Sequence, residues 1–389
     1  MSVYGASLLN FGAYPEGIAQ AAQLQGSGPI LVSIFMPGGA DSLSLLAPVG
    51  DPRYARLRPT LKLSPDQGTA VPEDPRLHWH PAAAGLATLY AEGKVAAAPA
   101  IGYTNEDQSH FTSRHYWEVG ATDPNLRYGW LGRYLDQTGT PDNPLQGLAL
   151  NSELSPTLAT AGVPVAALDS PAAYTFASPG VDDPVLAPML DALGGLGAVG
   201  APAREMQLRQ AQLTAGAAGT LRGQLTGFVS PTGDPVINSP VPYPKTDLGG
   251  RLAAAAALAA AGLPLRVISV EADDGDFDTH SDQVTNFGPR LLAVADSVLA
   301  FQRDVEARGL ADRVVILLWS EFGRRPEENN SGTDHGAAGS AFVIGSRVRG
   351  GLRACPRRVR PTGLRPFGYG YGSSEGSGSD GADRDGLLG

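Results

Sequence analysis

Residues 313–336 read RVVILLWSEFGRRPEENNSGTDHG, and this stretch decides the fold class. Val314 to Trp319 is a continuous apolar run. A run of this kind, closed by polar residues, predicts a strand buried on both faces, the sort that builds parallel sheets. Where the run stops, Glu321 appears. A charged, turn-rich loop carrying Arg324 follows, and then Asp334-His335-Gly336. A buried strand emptying into a loop with Glu, Arg, Asp and His is how an α/β protein presents chemistry at the carboxyl edge of its sheet.

Four other segments have the same buried character: 29–36 (PILVSIFM), 94–101 (KVAAAPAI), 265–270 (LRVISV) and 341–345 (AFVIG). Between two of them, residues 288–308 place Leu291, Ala295, Val298, Leu299 and Val305 at helical spacing, and Gly309 supplies the stop. This strand–helix–strand succession predicts right-handed βαβ units and an α/β fold with a mainly parallel central sheet flanked by helices. Alanine-rich helical patterns fill much of 127–265, so about 136–262 is expected to be a helical insertion or cap. Residues 195–200 match G-x-G-x-x-G, but helix-like PVLAPMLDAL precedes them and no strand-and-acid partner follows. The dinucleotide reading fails for lack of that context.

The bulk numbers narrow the function. The chain has 389 residues, which suits one large α/β domain, and a formal net charge of −10, which argues against nucleic acid as a partner. With 50 glycines and 32 prolines, loops are plentiful. One cysteine, Cys355, rules out a disulfide framework. No apolar run approaches the roughly 18 residues of a membrane span. Residues 1–27 form an extension with no basic region ahead of an apolar core, so no secretory signal is recognisable there.

The polar residues at predicted strand ends each carry two readings. Asp41, just past the first strand, is either a ligand or an N-cap. Ser109 sits where the N-cap of a helix running to Gly120 belongs. It is either a cap, or a nucleophile or metal ligand at a helix N-terminus, where the dipole favours an alkoxide or a bound anion. His110 beside it is a ligand or a packed first-turn residue. Asp278-Thr279-His280 has metal-ligand composition, and in an extended loop the carboxylate and imidazole point the same way. Arg324 either holds a substrate oxygen or pairs with Glu327 or Glu328 at the surface. His80 packs against or caps the helix starting at Pro81, and His115 is read as structural. Acids with imidazoles and no thiolate suit Zn²⁺ or Mn²⁺, one or two ions. The expected metal set is Asp41, His110, Asp278, His280, Glu321 and His335, with Ser109 and Arg324 as catalytic candidates.

The ordered motifs GGAD (38–41), LHWHP (77–81), SHF (109–111), GWLGRY (129–134), DTH (278–280), SEFGRR (320–325) and GTDHG (332–336) make this chain resemble the DUF1501 family over roughly 28–351. These are bacterial proteins of poorly defined function, grouped with the alkaline phosphatase and sulfatase superfamily. The resemblance implies Ser109 as nucleophile. It assigns Asp278, His280 and His335 to one metal, and Glu321 with Asp41 to the other. It also implies Asp-His where this chain has Glu321-Phe322, so one nitrogen ligand is missing, and His110 is the candidate to replace it. Export, often through a twin-arginine signal, is a further implication, with no such signal visible here.

Two functions from different classes follow as expectations. One is a metal-dependent hydrolase of phosphate or sulfate esters acting on a small-molecule or glycan ester. The other is a degenerate binding or surface-assembly protein on the same fold. From residue 352 the sequence turns Arg/Pro-rich and then Gly/Ser/Asp-rich without apolar periodicity. This tail is expected to be disordered and not the family's native ending, as a reading-frame change would produce.

Overall fold

The computed structural model describes residues 28–171, 185, 188–189, 191–193, 206–228, 230 and 235–353. Its centre is an eight-stranded sheet. Strand β1 (Ile30–Phe35) lies in the middle, parallel to β8 (Val267–Glu271) on one side and to β9 (Val314–Trp319) on the other. Beyond β8 the sheet continues, still parallel, through β6 (Gly147–Ala149) and β7 (Ala166–Ala167). Beyond β9 come β12 (Gly339–Ile344), β5 (Val95–Ile101) and β13 (Gly351–Leu352), giving the order β13-β5-β12-β9-β1-β8-β6-β7. On one face of the middle strands Val32, Ile34, Ile316 and Leu318 are inaccessible to solvent, and on the other Ser33 and Ser269 are also buried.

In this sheet β12 runs against the rest, antiparallel to both β9 and β5. The sheet is mainly parallel, as the sequence reading expected, and β12 is the strand that departs from the βαβ pattern. The reason for the difference lies in residues 320–338, which hold no helix. They form the small hairpin β10 (Arg324–Glu328) and β11 (Thr333–His335). A parallel return needs a crossover helix, so a connection without one brings the chain back antiparallel. The start of β12 therefore lies at the same edge as the ends of β1, β5, β8 and β9. A separate three-stranded sheet of β2 (Leu46–Ala47), β3 (Thr69–Val71) and β4 (Asp74–Trp79) stands to one side.

Eight helices are labelled in chain order: α1 (Ser42–Leu45), α2 (Pro52–Leu57), α3 (Ala84–Ala91), α4 (His110–Val119), α5 (Trp130–Thr138), α6 (Met206–Leu225), α7 (Asp247–Ala260) and α8 (Gln283–Ala307). The long α8 packs between α7 and α3. It buries Phe287, Leu291, Val294, Ala295, Val298, Phe301 and Val305; of the expected stripe Leu299 is only partly buried, and Phe287 adds a turn at its start. Each such large apolar side chain contributes about 1.5–3 kcal/mol when fully buried. Gly120 ends α4 at φ +63° and Gly309 follows α8 at φ +71°, both left-handed turns that suit glycine.

Within 136–262, the main sheet itself passes through as β6 and β7. These strands are only GLA and AA, too short and too poor in β-branched residues to give a sequence signal. The remaining described part of that segment is largely helical, in α6 and α7. The glycine motif at 195–200, the extension 1–27 and the tail from 354 lie outside the described residues. Among the described residues no helix is long and apolar enough to cross a membrane.

Candidate metal centre

Three adjacent parallel strands, β9, β1 and β8, deliver their carboxyl ends to one place. After β1 the chain turns through Gly38 (φ +93°) and Gly39 (φ +62°). A Cβ on Gly38 would fall 1.7 Å from an Asp276 oxygen and 2.4 Å from the Asp278 nitrogen, so only glycine fits against the loop that follows β8. Gly38 N donates to Glu321 Oε1 at 2.9 Å and Ala40 N to Ser320 Oγ at 3.0 Å, which fastens the β1 loop to the end of β9.

Glu321 is 2% exposed. Besides the Gly38 amide it accepts from Ser320 Oγ at 2.8 Å, and its Oε1 lies 2.7 Å from His110 Nδ1. Burial pushes the Glu321 carboxyl up, but the His110 hydrogen bond, followed by backbone and Ser320 donors, brings it below the usual range. The same bond to Glu321 raises His110, against the opposing pull of burial. Glu321 is thus a carboxylate and His110 Nδ1 its donor. The other ring nitrogen, His110 Nε2, is buried without a hydrogen-bond partner and lies 3.4 Å from Asp278 Oδ2.

Two further imidazoles repeat this arrangement. His335 Nδ1 lies 2.7 Å from the Gln108 carbonyl oxygen, an acceptor only, so Nδ1 carries the proton and Nε2 a lone pair. His280 Nδ1 faces Asp334 Oδ1 at 3.4 Å. The two Nε2 atoms then meet at 2.8 Å, with Asp278 Oδ1 3.2 Å from His335 and 3.1 Å from His280. At that distance one ring donates a hydrogen bond to the other, and a metal cation between them could take the place of that proton. Ligand atoms of His110, Asp278 and His335 all lie within 4.8 Å of one another.

Asp278 is held by Arg324, whose NH2 donates to its Oδ1 at 2.5 Å. Burial pushes this carboxyl up, but the hydrogen bond and charge of Arg324 bring it down to about 2, so it is ionised at any ordinary pH. The donor set fits a divalent ion. Three imidazoles are anchored through Nδ1 by a carboxylate or carbonyl, the usual support behind ligating histidines, and one carboxylate stands among the Nε2 atoms. Glu321 takes the supporting position behind His110.

Phe322 stands where the resemblance led us to expect a nitrogen ligand. Its ring packs against His110 at 4.9 Å and His335 at 4.8 Å between centroids. It shapes the floor under both imidazoles, and the nearby nitrogen from another strand's loop is that of His110.

Two other expected site residues sit in networks of their own. Asp41 is fully buried and belongs to a different network. It caps α1 through Leu43 N, accepts from Ser44 Oγ at 2.6 Å and Gln283 Nε2 at 2.6 Å, and forms a two-pronged pair with Arg58 at 2.5 and 3.0 Å. Its oxygens are used there, and it is not among the clustered ligand atoms. It acts on the centre indirectly, because Gln283 Oε1 accepts from Thr279 at 3.1 Å and from Thr333 at 2.7 Å, in the two ligand-bearing loops. Arg324 is neither a surface residue nor a free cation. Its side chain is wholly buried and donates to the carbonyls of Gly39 (2.9 Å), Thr333 (2.8 Å) and Gly38 (2.6 Å) as well as to Asp278. It is a staple joining three loops.

Ser109 caps α4, with Oγ accepting from Thr112 N at 3.5 Å, so the capping reading is the one seen. His80 likewise caps the turn at Pro81, its Nδ1 accepting from Ala82 N at 3.1 Å. Sequence reading missed Arg58, Gln283, Ser320 and the Gln108 carbonyl. Ser320 opens the quoted SEFGRR motif and could have been found. Arg58 lies in an irregular stretch that gives no signal.

A mainly parallel sheet between helices, with a histidine–aspartate cluster at its carboxyl edge, defines an α/β protein with a candidate metal centre. Residues 96–355 match the family described as "Protein of unknown function (DUF1501)", and the chain belongs to that family. Among solved structures it is similar to the alkaline phosphatase from the Antarctic bacterium TAB5. Identity there is 11% and the TM-score 0.33, over 84% of this chain and 95% of that one. No curated protein matches the sequence.

Proposed function

We propose that this chain is a hydrolase of phosphate or sulfate esters that depends on one divalent ion, Zn²⁺ or Mn²⁺. The observation that supports this reading is the convergence of the Nε2 atoms of His110, His280 and His335 on Asp278, each ring anchored at its other nitrogen. His110, Asp278 and His335 would hold the ion, with His280 beside them. Partial exposure (32% for the Asp278 side chain, 45% for His280) suits a centre open to substrate, whereas structural zinc sites are closed. When bound, the ion supplies Lewis acidity toward an ester oxygen or water.

The protein's own groups then have distinct tasks. Glu321 orients His110 and offsets its charge. Arg324 fixes Asp278. Ser109, next to His110 at the start of α4, is the proposed nucleophile. One ion is favoured over two because Asp41 and Glu321, the expected ligands of a second, are engaged by Arg58 and His110.

Elemental analysis of the purified protein, combined with a panel of aryl phosphate, phosphodiester and sulfate esters, tests this. About one equivalent of metal and turnover abolished by a chelator are expected. Protein that neither carries nor binds metal would sink the proposal. A second reading, a metal-binding protein without turnover, is favoured by the engagement of Arg324 and the capping role of Ser109. It predicts the metal without hydrolysis of any ester.

A further inference from the structure

Next to the metal centre lies a cleft of about 530 Å³ that no step above uses. Helix α4 leads from one to the other. His110, Arg114 and Glu118 follow at four-residue intervals, so they share a helix face. His110 belongs to the centre, and Arg114 and Glu118 line the cleft. Glu271, at the end of β8, lines the other side. A ligand in the cleft would therefore lie along the same helix and the same sheet edge as the centre.

The chemistry of the lining selects the ligand. Its carboxylates outnumber its guanidiniums four to two, so a free phosphate or sulfate is disfavoured there. Its charges are also largely matched. Arg114 makes a two-pronged bond to Glu271 at 2.9 and 3.1 Å and another bond to Glu118 at 2.9 Å, and Arg251 pairs with Asp273 at 2.5 Å. Paired groups attract an ion weakly, yet they keep acceptor and donor sites at fixed positions. Asn151 is fixed as well, because its Oδ1 accepts from Glu271 N at 3.0 Å and its NH2 group remains for a ligand. At the rim stands Phe111, 89% exposed, an aromatic face with no packing role of that size to explain it. A flat apolar face beside ordered hydrogen-bonding groups, most of them paired with one another, matches a sugar ring, which has an apolar C–H face and a rim of hydroxyls. The volume lies in the range of small-ligand sites.

We infer that this cleft binds a neutral saccharide, stacked on Phe111 and hydrogen-bonded by Asn151 and the Arg114–Glu271 pair. This rests on the proposed hydrolase only in naming its substrate as a sugar ester, the ester group at the metal centre and the ring in the cleft.

The test is binding, not turnover. The full chain, with and without prior EDTA treatment, is titrated with neutral disaccharides built on glucose, galactose, mannose and N-acetylglucosamine, and saturation-transfer NMR or calorimetry reads the result. At least one sugar is expected to bind saturably, with affinity about tenfold weaker in Phe111→Ala and in Asn151→Ala and kept in Phe111→Trp. Phe111 is exposed, so an unchanged melting temperature will separate lost stacking from lost fold. The inference is overturned if no sugar saturates, if both alanine variants bind as the parent does, or if sulfate or tetramethylammonium competes for the cleft. Sugar binding in a protein that takes up no metal would remove the hydrolase and leave the cleft. Metal-dependent turnover without any sugar binding would remove the cleft and leave the hydrolase.

Discussion

Glu321 and His110, 211 residues apart in sequence, meet at 2.7 Å from Oε1 to Nδ1. The bond turns the imidazole so that its buried Nε2 points at Asp278. Glu321→Gln keeps the shape and removes the charge. Metal affinity is expected to fall about 10–100-fold, the usual effect of losing a supporting carboxylate, with little change in circular dichroism. Zinc titration against a chromophoric competitor will read it, and unchanged affinity would remove Glu321 from this role.

Arg58 and Asp41 form a fully buried ion pair. Arg58→Ala strands the carboxylate in the interior, and a loss of about 3–5 kcal/mol is expected in denaturant melts. The pH dependence has a definite sign. Burial pushes Asp41 up, but the Arg58 charge and the hydrogen bonds of Arg58, Ser44 and Gln283 bring it below its ordinary 3.8. A carboxyl lowered on folding stabilises fully above its unfolded value and loses that contribution as pH falls through its folded value. The parent should therefore lose stability from this pair only below about pH 3.8. An acid transition that is the same in Asp41→Asn would contradict it.

Replacing Arg324 by Lys leaves one ammonium to serve four carbonyls, those of Gly38, Gly39, Phe277 and Thr333, and Asp278. The Asp278 carboxyl, now held at about 2, should rise toward the ordinary range. Protons then compete with metal at higher pH, so the acid edge of metal binding moves upward. Metal retention measured across pH 3–7 (about that span covers the carboxylate range) checks the shift.

Gly38→Ala places a methyl group against the Asp278 backbone nitrogen at 2.4 Å, on a residue at φ +93°. A loss of about 1–3 kcal/mol is expected from backbone strain alone. Metal affinity should fall with it, because the displaced segment carries Asp278. A stable variant with parental affinity would show that the loop has room to move.

Ser109 separates its two roles through two variants. Ser109→Ala should lose both the cap, about 1 kcal/mol, and any nucleophile, whereas Ser109→Asn keeps the cap. If Ser109 attacks substrate, both variants lose turnover while retaining metal. Turnover in the Asn variant would restrict Ser109 to capping α4.

Much of this architecture was legible because its signals are local. Apolar runs such as Val314–Trp319 named the buried strands, and the polar residue types beside them named the edge. His110, Asp278, His280 and His335 were visible as chemistry, since an imidazole at a strand end has few bland explanations. What remained hidden depends on partners far along the chain. Nothing near Asp41 shows that Arg58 will neutralise it. Nothing near Arg324 shows that four carbonyls will surround it, because carbonyls are present at every residue. Strands β6 and β7 escaped notice because two or three small residues pair only when β8 is already there. The antiparallel β12 was readable in principle from the missing crossover helix, and that return is what brings His335 to the edge.

The candidate ligand atoms come from three chain segments, carrying His110, Asp278 with His280, and His335, whose mutual positions are set by β5, β12, β9, β1 and β8 lying side by side. No subset of neighbouring residues can assemble them, so the centre forms late in folding, after the longest loops have closed. A chain that captures a divalent ion has thereby reported that its sheet is complete. An ion bound there would also act as a clasp between strands laid down hundreds of residues apart, and its removal should loosen that edge first in hydrogen exchange.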